Sequence, residues 1–504
     1  MLNNTSNKTA RIAKNTILLY FRMAIVMLVS LYASRKVLNV LGVEDFGIYN
    51  VVSGIVILFS FMNAAMTNAS QRYLSFALGK EDRRELLKVF STSIFLHFAI
   101  ILLLVVLTET LGLWYVREKL SIPEGKYTQA VITYHLAILA TCINIIRVPF
   151  QATIISYEHM SKYAIISIVE SVLKLLSVCL LPIIPGNKLL LYSLLIIIIN
   201  LIILTIYICI CVLDYRLKLI YVSDGRLIKE FISFSGWNML GGIADVTYQQ
   251  GTNLIINSFY GVTVNAAVGI MNQVRTAVYS FVSNLQLAAN PQIIKSYSNQ
   301  DYNYFLSLIS LVSRLSYYMM LALAIPLIIN MDYILTIWLK TVPNYSSVFC
   351  RLILIYCLID SLSGPLWVSI QATGNMKYYQ IFISTILILN LPLSQAALHY
   401  GFAPEVVYII QIILCVVALV VRVILAHKYI NMNVMYYIKE VLLRIIAVTI
   451  LSSSFSLLFI NLCDGFWKLL LTFFINLVSL LCAVYFIGIN NAERARIRLY
   501  INKS

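Results

Sequence analysis

Long apolar segments follow one another along almost the whole chain, and only short polar loops separate them. Hydrophobic residues make up 61% of the sequence and charged residues only 12%, whereas a soluble domain is roughly half apolar and a quarter charged. So much apolar surface cannot be buried away from water, so the chain must face lipid. The segments have the length of transmembrane helices, roughly 20 residues, and strands of about 10 alternating residues are absent.

The apolar segments predict about fourteen transmembrane helices and therefore an all-α polytopic membrane protein. They form two groups of six, followed by a pair. The predicted spans 1 to 6 are 16–39, 46–67, 89–115, 127–149, 162–184 and 189–212. Spans 7 to 12 are 232–257, 262–287, 304–329, 346–371, 376–398 and 404–426, and spans 13 and 14 are 438–461 and 465–489.

Lysine and arginine are concentrated in every second loop, including 72–88 and 216–229, and at both ends of the chain. Because cytoplasmic loops of membrane proteins are enriched in these residues, both termini are predicted to be cytoplasmic and the number of spans even. The net charge of +16 is explained by these loops, so no nucleic-acid partner is expected. No loop is long enough for a soluble catalytic domain.

Two parts of the sequence resemble each other. Pro149 and Met160 correspond to Pro365 and Met376, in both cases 216 positions later. The repeat predicts two lobes of six helices with the same orientation, related by an axis along the membrane normal. We therefore expect an N-terminal lobe at 1–213, a C-terminal lobe at 214–430, and an added helix pair with a basic tail at 431–504.

Polar residues at helical spacing mark the spans that could line a cavity between the lobes. Span 7 has the clearest polar stripe, span 8 continues it, and spans 1 and 2 carry further polar residues. These residues are Asn238, Gly242, Asp245, Gln249 and Asn253, then Asn265, Gly269, Asn272 and Arg275, then Asn50, Ser53 and Asn63, and Arg22 and Lys36. Packing between helices is the alternative explanation for the small and polar members.

Charged side chains inside the spans are the stronger candidates, because a charge at a helix centre costs roughly 2.5–3.5 kcal/mol even on lenient scales. They either line a cavity or form buried structural ion pairs. The candidates are Arg22, Asp245, Arg275, Arg314 and Asp360. Arg147 lies near a span end and could reach the membrane surface, and anchoring at the interface accounts for Arg422 and Arg444.

Glu170 and Lys174 are four residues apart in span 5. Mutual neutralisation explains them, and coupling to a proton or ion is the alternative, for which Asp245 is a further candidate. Cations outnumber anions within the spans, which favours an anionic substrate headgroup such as phosphate or pyrophosphate. An inside-negative potential would favour outward movement of that headgroup by roughly 2.3 kcal/mol per charge per 100 mV.

No catalytic, nucleotide-binding or metal-ligand motif is present, so we expect no enzyme activity, no cofactor, no bound metal and no use of ATP by the chain itself. The nine cysteines lie in or beside apolar segments and are interpreted as reduced hydrophobic residues. A polymerase or acyltransferase would need a sizeable catalytic loop, which the chain lacks.

The segment from Val37 to Asp82 reads VLNVLGVEDFGIYNVVSGIVILFSFMNAAMTNASQRYLSFALGKED. It resembles the opening of bacterial polysaccharide-repeat flippases, the O-antigen and capsule exporters of the multidrug/oligosaccharidyl-lipid/polysaccharide (MOP) superfamily. LGVEDFGIYN at Leu41–Asn50 and NASQRY at Asn68–Tyr73 carry most of this resemblance. The later helices match the family in pattern only.

The resemblance implies a MATE-like fold in which two six-helix lobes enclose a V-shaped cavity lined by helices 1, 2, 7 and 8. It implies an inner-membrane flippase for undecaprenyl-pyrophosphate-linked oligosaccharide, coupled in some relatives to a proton or sodium gradient. Membrane lipid, a polysaccharide polymerase and glycosyltransferases are the other partners it implies. The family's cationic cavity corresponds by residue type and helix to Arg22, Arg275 and Arg314. A cation-coupled multidrug exporter of the same superfamily is the alternative.

Overall fold

The computed structural model describes residues 2–57, 60–118, 125–221, 224–339, 342–458, 465–490 and 493–494. All regular secondary structure in these ranges is helical, and they contain no strand. The all-α membrane fold predicted from the sequence is therefore confirmed.

The helices follow one another along the chain with short connections. They are α1 (Leu2–Ile57), α2 (Ser60–Gly79), α3 (Arg83–Leu107), α4 (Leu113–Glu118), α5 (Tyr127–Ser156), α6 (Met160–Leu180), α7 (Lys188–Cys209), α8 (Gly225–Ser298) and α9 (Tyr302–Ile329). Then come α10 (Met331–Leu339), α11 (Ser346–Asp360), α12 (Ser363–Thr373), α13 (Lys377–His399), α14 (Val406–Ile430), α15 (Val434–Tyr437), α16 (Leu443–Leu458) and α17 (Gly465–Ala483). Single π-helical turns occupy Thr108–Gly112, Ile210–Asp214, Ile438–Leu442 and Val484–Gly488.

Ten helical stretches of the described chain are long and apolar enough to cross a membrane. They coincide with predicted spans 3 to 6 and 9 to 14. Span 1 overlaps a shorter apolar helical stretch, Asn15–Ser30, and spans 2, 7 and 8 fall on α1, α2 and α8, so the total of fourteen remains a prediction.

Two long helices differ from the predicted loops. α1 is bent at Gly42, whose φ of 77° and ψ of 169° are non-helical, and this bend takes the place of the predicted loop between spans 1 and 2. α8 continues through residues 258–261, where we predict a loop between spans 7 and 8. Gly261 weakens a helix without ending it, and the first proline of α8 comes only at Pro291.

The chain divides into two compact units, Ala13–Met239 and Leu240–Ser504, the second including Met1–Ile12. In the first unit, α5 packs against α2, α3 and α7, around an apolar core that includes Leu104, Tyr134 and Ile145. In the second unit, α14 packs against α11, α12 and α13, and α9 packs against α11 and α17. The lobe boundaries predicted from the repeat remain a prediction.

Candidate functional site

A cavity of about 500 Å³ lies inside the unit Ala13–Met239, and we call it the N-terminal cavity. Its walls come from α1, α5, α6 and α7, and they carry both apolar and polar side chains. The polar lining consists of Arg22, Ser30, Tyr49, Arg147, Gln151, Tyr163, Ser167, Glu170, Ser171, Lys174, Tyr192 and Tyr207. A volume of this size is typical of small-molecule sites.

An ion cluster of three residues occupies one wall of this cavity. Oε1 of Glu170 lies 2.7 Å from Nζ of Lys174, and Oε2 lies 2.9 Å from Nη1 of Arg147. The pairing of Glu170 with Lys174 predicted from their spacing is therefore confirmed. Arg147 comes from α5, so the carboxylate also links α5 to α6. Because both of its oxygens accept from cations, Glu170 is held in one orientation.

Arg22 reaches the same cavity from α1. Its guanidinium carbon lies 4.8 Å from the centre of the Tyr163 ring, a cation–π contact. Its Nε is buried and has no hydrogen-bond partner among the described residues. The lining therefore holds three cations and one carboxylate, and this excess of two positive charges can attract an anion.

A second charged cluster lies in the other unit, on α8, α11 and α14. Arg275 lies over the Tyr356 ring at 5.4 Å and, with Asn272, borders a pocket of only about 20 Å³, which has room for about one water molecule. Asp360 interacts electrostatically with Arg275 and with Arg422, and it is hydrogen-bonded to Tyr279.

Arg422 is buried rather than placed at the lipid interface, so its interpretation as an interfacial anchor is wrong. Its Nε donates to the Tyr379 hydroxyl at 3.0 Å, and its Nη1 donates to Oγ of Ser363 at 2.8 Å. The arginine therefore joins α14 to α12 and α13 inside the unit.

The remaining candidates are dispersed. Arg314 is 2% exposed, lines neither cavity, and contacts Glu493 and the carbonyl of Gly488. Asn238 is buried and donates to the carbonyl of Phe234 at 2.8 Å, one helical turn earlier. Asp245 is exposed on α8. The side chains of Asn50 and Gln249 lie outside the described residues.

The structure thus brings Arg22, Glu170 and Lys174 into one cavity, and it adds Arg147. Arg147 is not among the cavity candidates predicted from the sequence, because its position near a span end indicates a side chain that reaches the membrane surface. The signal that points to Arg147 is the carboxylate of Glu170, which has two oxygens. Span 5 supplies only one cation at helical spacing, Lys174, so the second oxygen needs a cation from another span.

Solved structures with similar folds include MATE transporters. A MATE structure in the bent conformation matches with a TM-score of 0.73 and 12% identity, over 84% of this chain and 96% of the other. An outward-facing multidrug resistance MATE transporter of the MOP superfamily matches with a TM-score of 0.72 and 11% identity, over the same shares. A MOP superfamily transporter from Pyrococcus furiosus is described as having a binding pocket of reverse polarity. It matches with a TM-score of 0.69 and 12% identity, over 84% of this chain and 96% of the other.

These likenesses show that the chain has a MATE-like fold. Residues 12–298 match the model of the family described as "Polysaccharide biosynthesis protein". The match covers more than half of the chain, and the chain belongs to this family, which confirms the resemblance seen in the sequence. No curated protein matches the chain.

Proposed function

We propose that the chain is a flippase that exports undecaprenyl-pyrophosphate-linked oligosaccharide repeat units across the bacterial inner membrane. The exported units would serve the assembly of O-antigen, capsule or another surface polysaccharide. The observation that carries the proposal is the charge of the N-terminal cavity, where Arg22, Arg147 and Lys174 face a single carboxylate. The family and the MATE-like fold support it.

The mechanism would be alternating access. The two lobes, 1–213 and 214–430, would open in turn to the cytoplasm and the periplasm, with both termini cytoplasmic and 431–504 outside the repeat. The diphosphate would meet arginine, whose planar guanidinium suits phosphate oxygens, while the polyprenyl tail stays in lipid. Glu170, Lys174 and Asp245 are the candidates for coupling to protons or sodium. No bond is made or broken, so the proposal includes no enzyme activity.

Deletion of the gene tests the proposal in cells. We expect lipid-linked repeat units to accumulate facing the cytoplasm, and the intact gene to reverse this. Arg22→Ala and Arg275→Ala should fail to restore export, whereas Arg226→Ala should restore it, because the Arg226 side chain is 90% exposed. Full rescue by Arg22→Ala and Arg275→Ala would remove both residues from the mechanism.

A multidrug exporter is the second candidate, since one of the similar structures is a multidrug resistance transporter. Cationic drugs need an available carboxylate. Asp245 and Asp360 are the candidates for this role. Asp360 lies near two arginines, Glu170 is bound by two cations, and this surplus of cations favours the anionic substrate. Lower drug tolerance of the deletion strain, without accumulated repeat units, would reverse this preference. Glycosyltransferase and polymerase genes beside this one would support the flippase and its expected partners.

A further inference from the structure

Glu170 occupies the place that an anionic ligand of the N-terminal cavity would take. Each of its oxygens accepts a charge-assisted bond, at 2.7 Å from Lys174 and 2.9 Å from Arg147. A phosphate group presents oxygens to the same donors in the same way. The carboxylate therefore binds both cations and offsets one of their two positive charges, which lowers the cost of holding them away from bulk water.

The cluster is open to a ligand on the cavity side. The Lys174 side chain is 43% exposed, whereas those of Arg147 and Glu170 are 18% and 19% exposed. Lysine is also flexible, with three rotatable donors, so it can turn from Glu170 to another anion. Arg22 is a third cation with a buried Nε that lacks a partner among the described residues.

We propose that the N-terminal cavity binds a phosphate-type anion and that Glu170 is its exchangeable counter-ion. The incoming anion is bound by Arg22 and takes over Lys174 and Arg147 from the carboxylate. When the anion leaves, Glu170 pairs with both cations again. This inference rests on the proposed function, since it assigns the diphosphate headgroup to a cavity inside one unit.

Charge and size agree with this ligand class. The lining carries an excess of two positive charges, which matches a diphosphate bridging two organic groups, with one negative charge on each phosphate. The cavity of about 500 Å³ is within the range of roughly 300–1,000 Å³ of small-molecule sites. The tyrosines and serines of the lining supply further donors to phosphate oxygens.

Binding to the purified full chain in nanodiscs tests the inference by titration calorimetry. The probes are inorganic pyrophosphate and a short polyprenyl diphosphate. Glu170→Gln removes the competing charge and should tighten both by about fivefold, whereas Arg22→Gln should weaken both by about tenfold. Glu109→Gln is the matched control, because Glu109 pairs with His135 outside the cavity. Unchanged or weaker binding by Glu170→Gln, or unchanged binding by Arg22→Gln, would overturn the inference.

Glu170→Gln leaves two cations without a carboxylate, so its thermal stability is measured alongside. Pyrophosphate should raise its Tm by more than that of the wild type. If this variant does not fold, Lys174→Gln provides the test, because it keeps the ion pair of Arg147 and Glu170. Lys174→Gln should weaken the binding of both probes, and unchanged binding would contradict the inference.

Two lipid compositions show whether the cavity binds the phosphates of the polyprenyl diphosphate or the phosphate of a membrane lipid. Replacing phosphatidylcholine by phosphatidylglycerol should change the affinity for the polyprenyl diphosphate by less than about twofold. Loss of binding to both probes in phosphatidylglycerol would assign the cavity to membrane lipid instead. Export in the deletion strain distinguishes the two proposals. Normal export by Arg22→Gln would overturn only the assignment of the headgroup to the N-terminal cavity. If no repeat units accumulate after deletion, the flippase function itself is overturned.

Discussion

Nη1 of Arg314 donates to the carbonyl oxygen of Gly488 at 3.1 Å, across 174 positions of the chain. The Tyr318 hydroxyl donates to the same oxygen, also at 3.1 Å, and Nη2 of Arg314 pairs with Glu493 at 2.5 Å. Gly488 ends the π-helical turn after α17, where backbone carbonyls lack partners within the helix. Arg314 on α9 therefore fixes the end of the last helix.

Arg314→Met should lower the free energy of unfolding by about 3 kcal/mol, because it leaves a largely buried carboxylate unpaired. Chemical denaturation of the purified chain measures this loss. Diphosphate affinity of the folded variant should stay at the wild-type value. A loss of affinity at normal stability would instead favour the cavity-lining role considered from the sequence.

Gly42→Ala should destabilise the bend of α1 by about 1–3 kcal/mol, because its φ of 77° with ψ of 169° is a conformation that side chains disfavour. Gly269→Ala is the matched control. Both positions have open space for a Cβ, but only Gly42 has a positive φ. Thermal unfolding should show a loss for Gly42→Ala and none for Gly269→Ala, and equal effects would contradict the account of the bend.

Tyr379→Phe removes the acceptor for Nε of buried Arg422 and should cost about 1.5–3 kcal/mol, the range for hydrogen bonds to charged groups. Tyr378→Phe is the control, since the Tyr378 side chain is exposed on the same helix. Denaturant unfolding compares the two variants. Equal stability of both would show that this contact contributes little.

Asp82 caps α3, and hydrogen bonds from the backbone amides of Glu85 and Arg84 lower the pKa of its carboxyl group. A group whose pKa is lower in the folded state stabilises the fold above its unfolded pKa of about 3.9 and loses that contribution as the pH falls through the folded value. Between about pH 5 and pH 3, the Tm of the wild type should therefore fall further than that of Asp82→Asn. Parallel Tm curves would contradict the capping role.

The apolar spans were predictable because each carries its own signal in consecutive residues. Glu170 and Lys174 were predictable as a pair for the same reason, as they lie one helical turn apart. The partners of Arg314 and Arg422 were not, because Gly488, Glu493, Ser363 and Tyr379 come from distant segments. Long-range pairing depends on helix packing, which hydropathy and spacing do not encode.

The continuous α8 shows a second limit. Gly261 and the polar residues around it predict a break between spans 7 and 8, yet the helix runs through them. Backbone hydrogen bonds within a helix need no particular side chain, so a polar stretch without proline is compatible with either state.

Transport by the purified chain in liposomes tests the central claim most directly. The liposomes hold an undecaprenyl-pyrophosphate oligosaccharide with a fluorescent sugar, and a membrane-impermeant quencher reports the fraction in the outer leaflet. If the chain is a flippase, it makes the inner-leaflet pool accessible to quencher over time, whereas protein-free liposomes and Arg22→Ala keep that pool protected. The contrary result is a folded wild-type chain that leaves the inner-leaflet pool as protected as in protein-free liposomes, even with an imposed proton or sodium gradient. That result would contradict the flippase function.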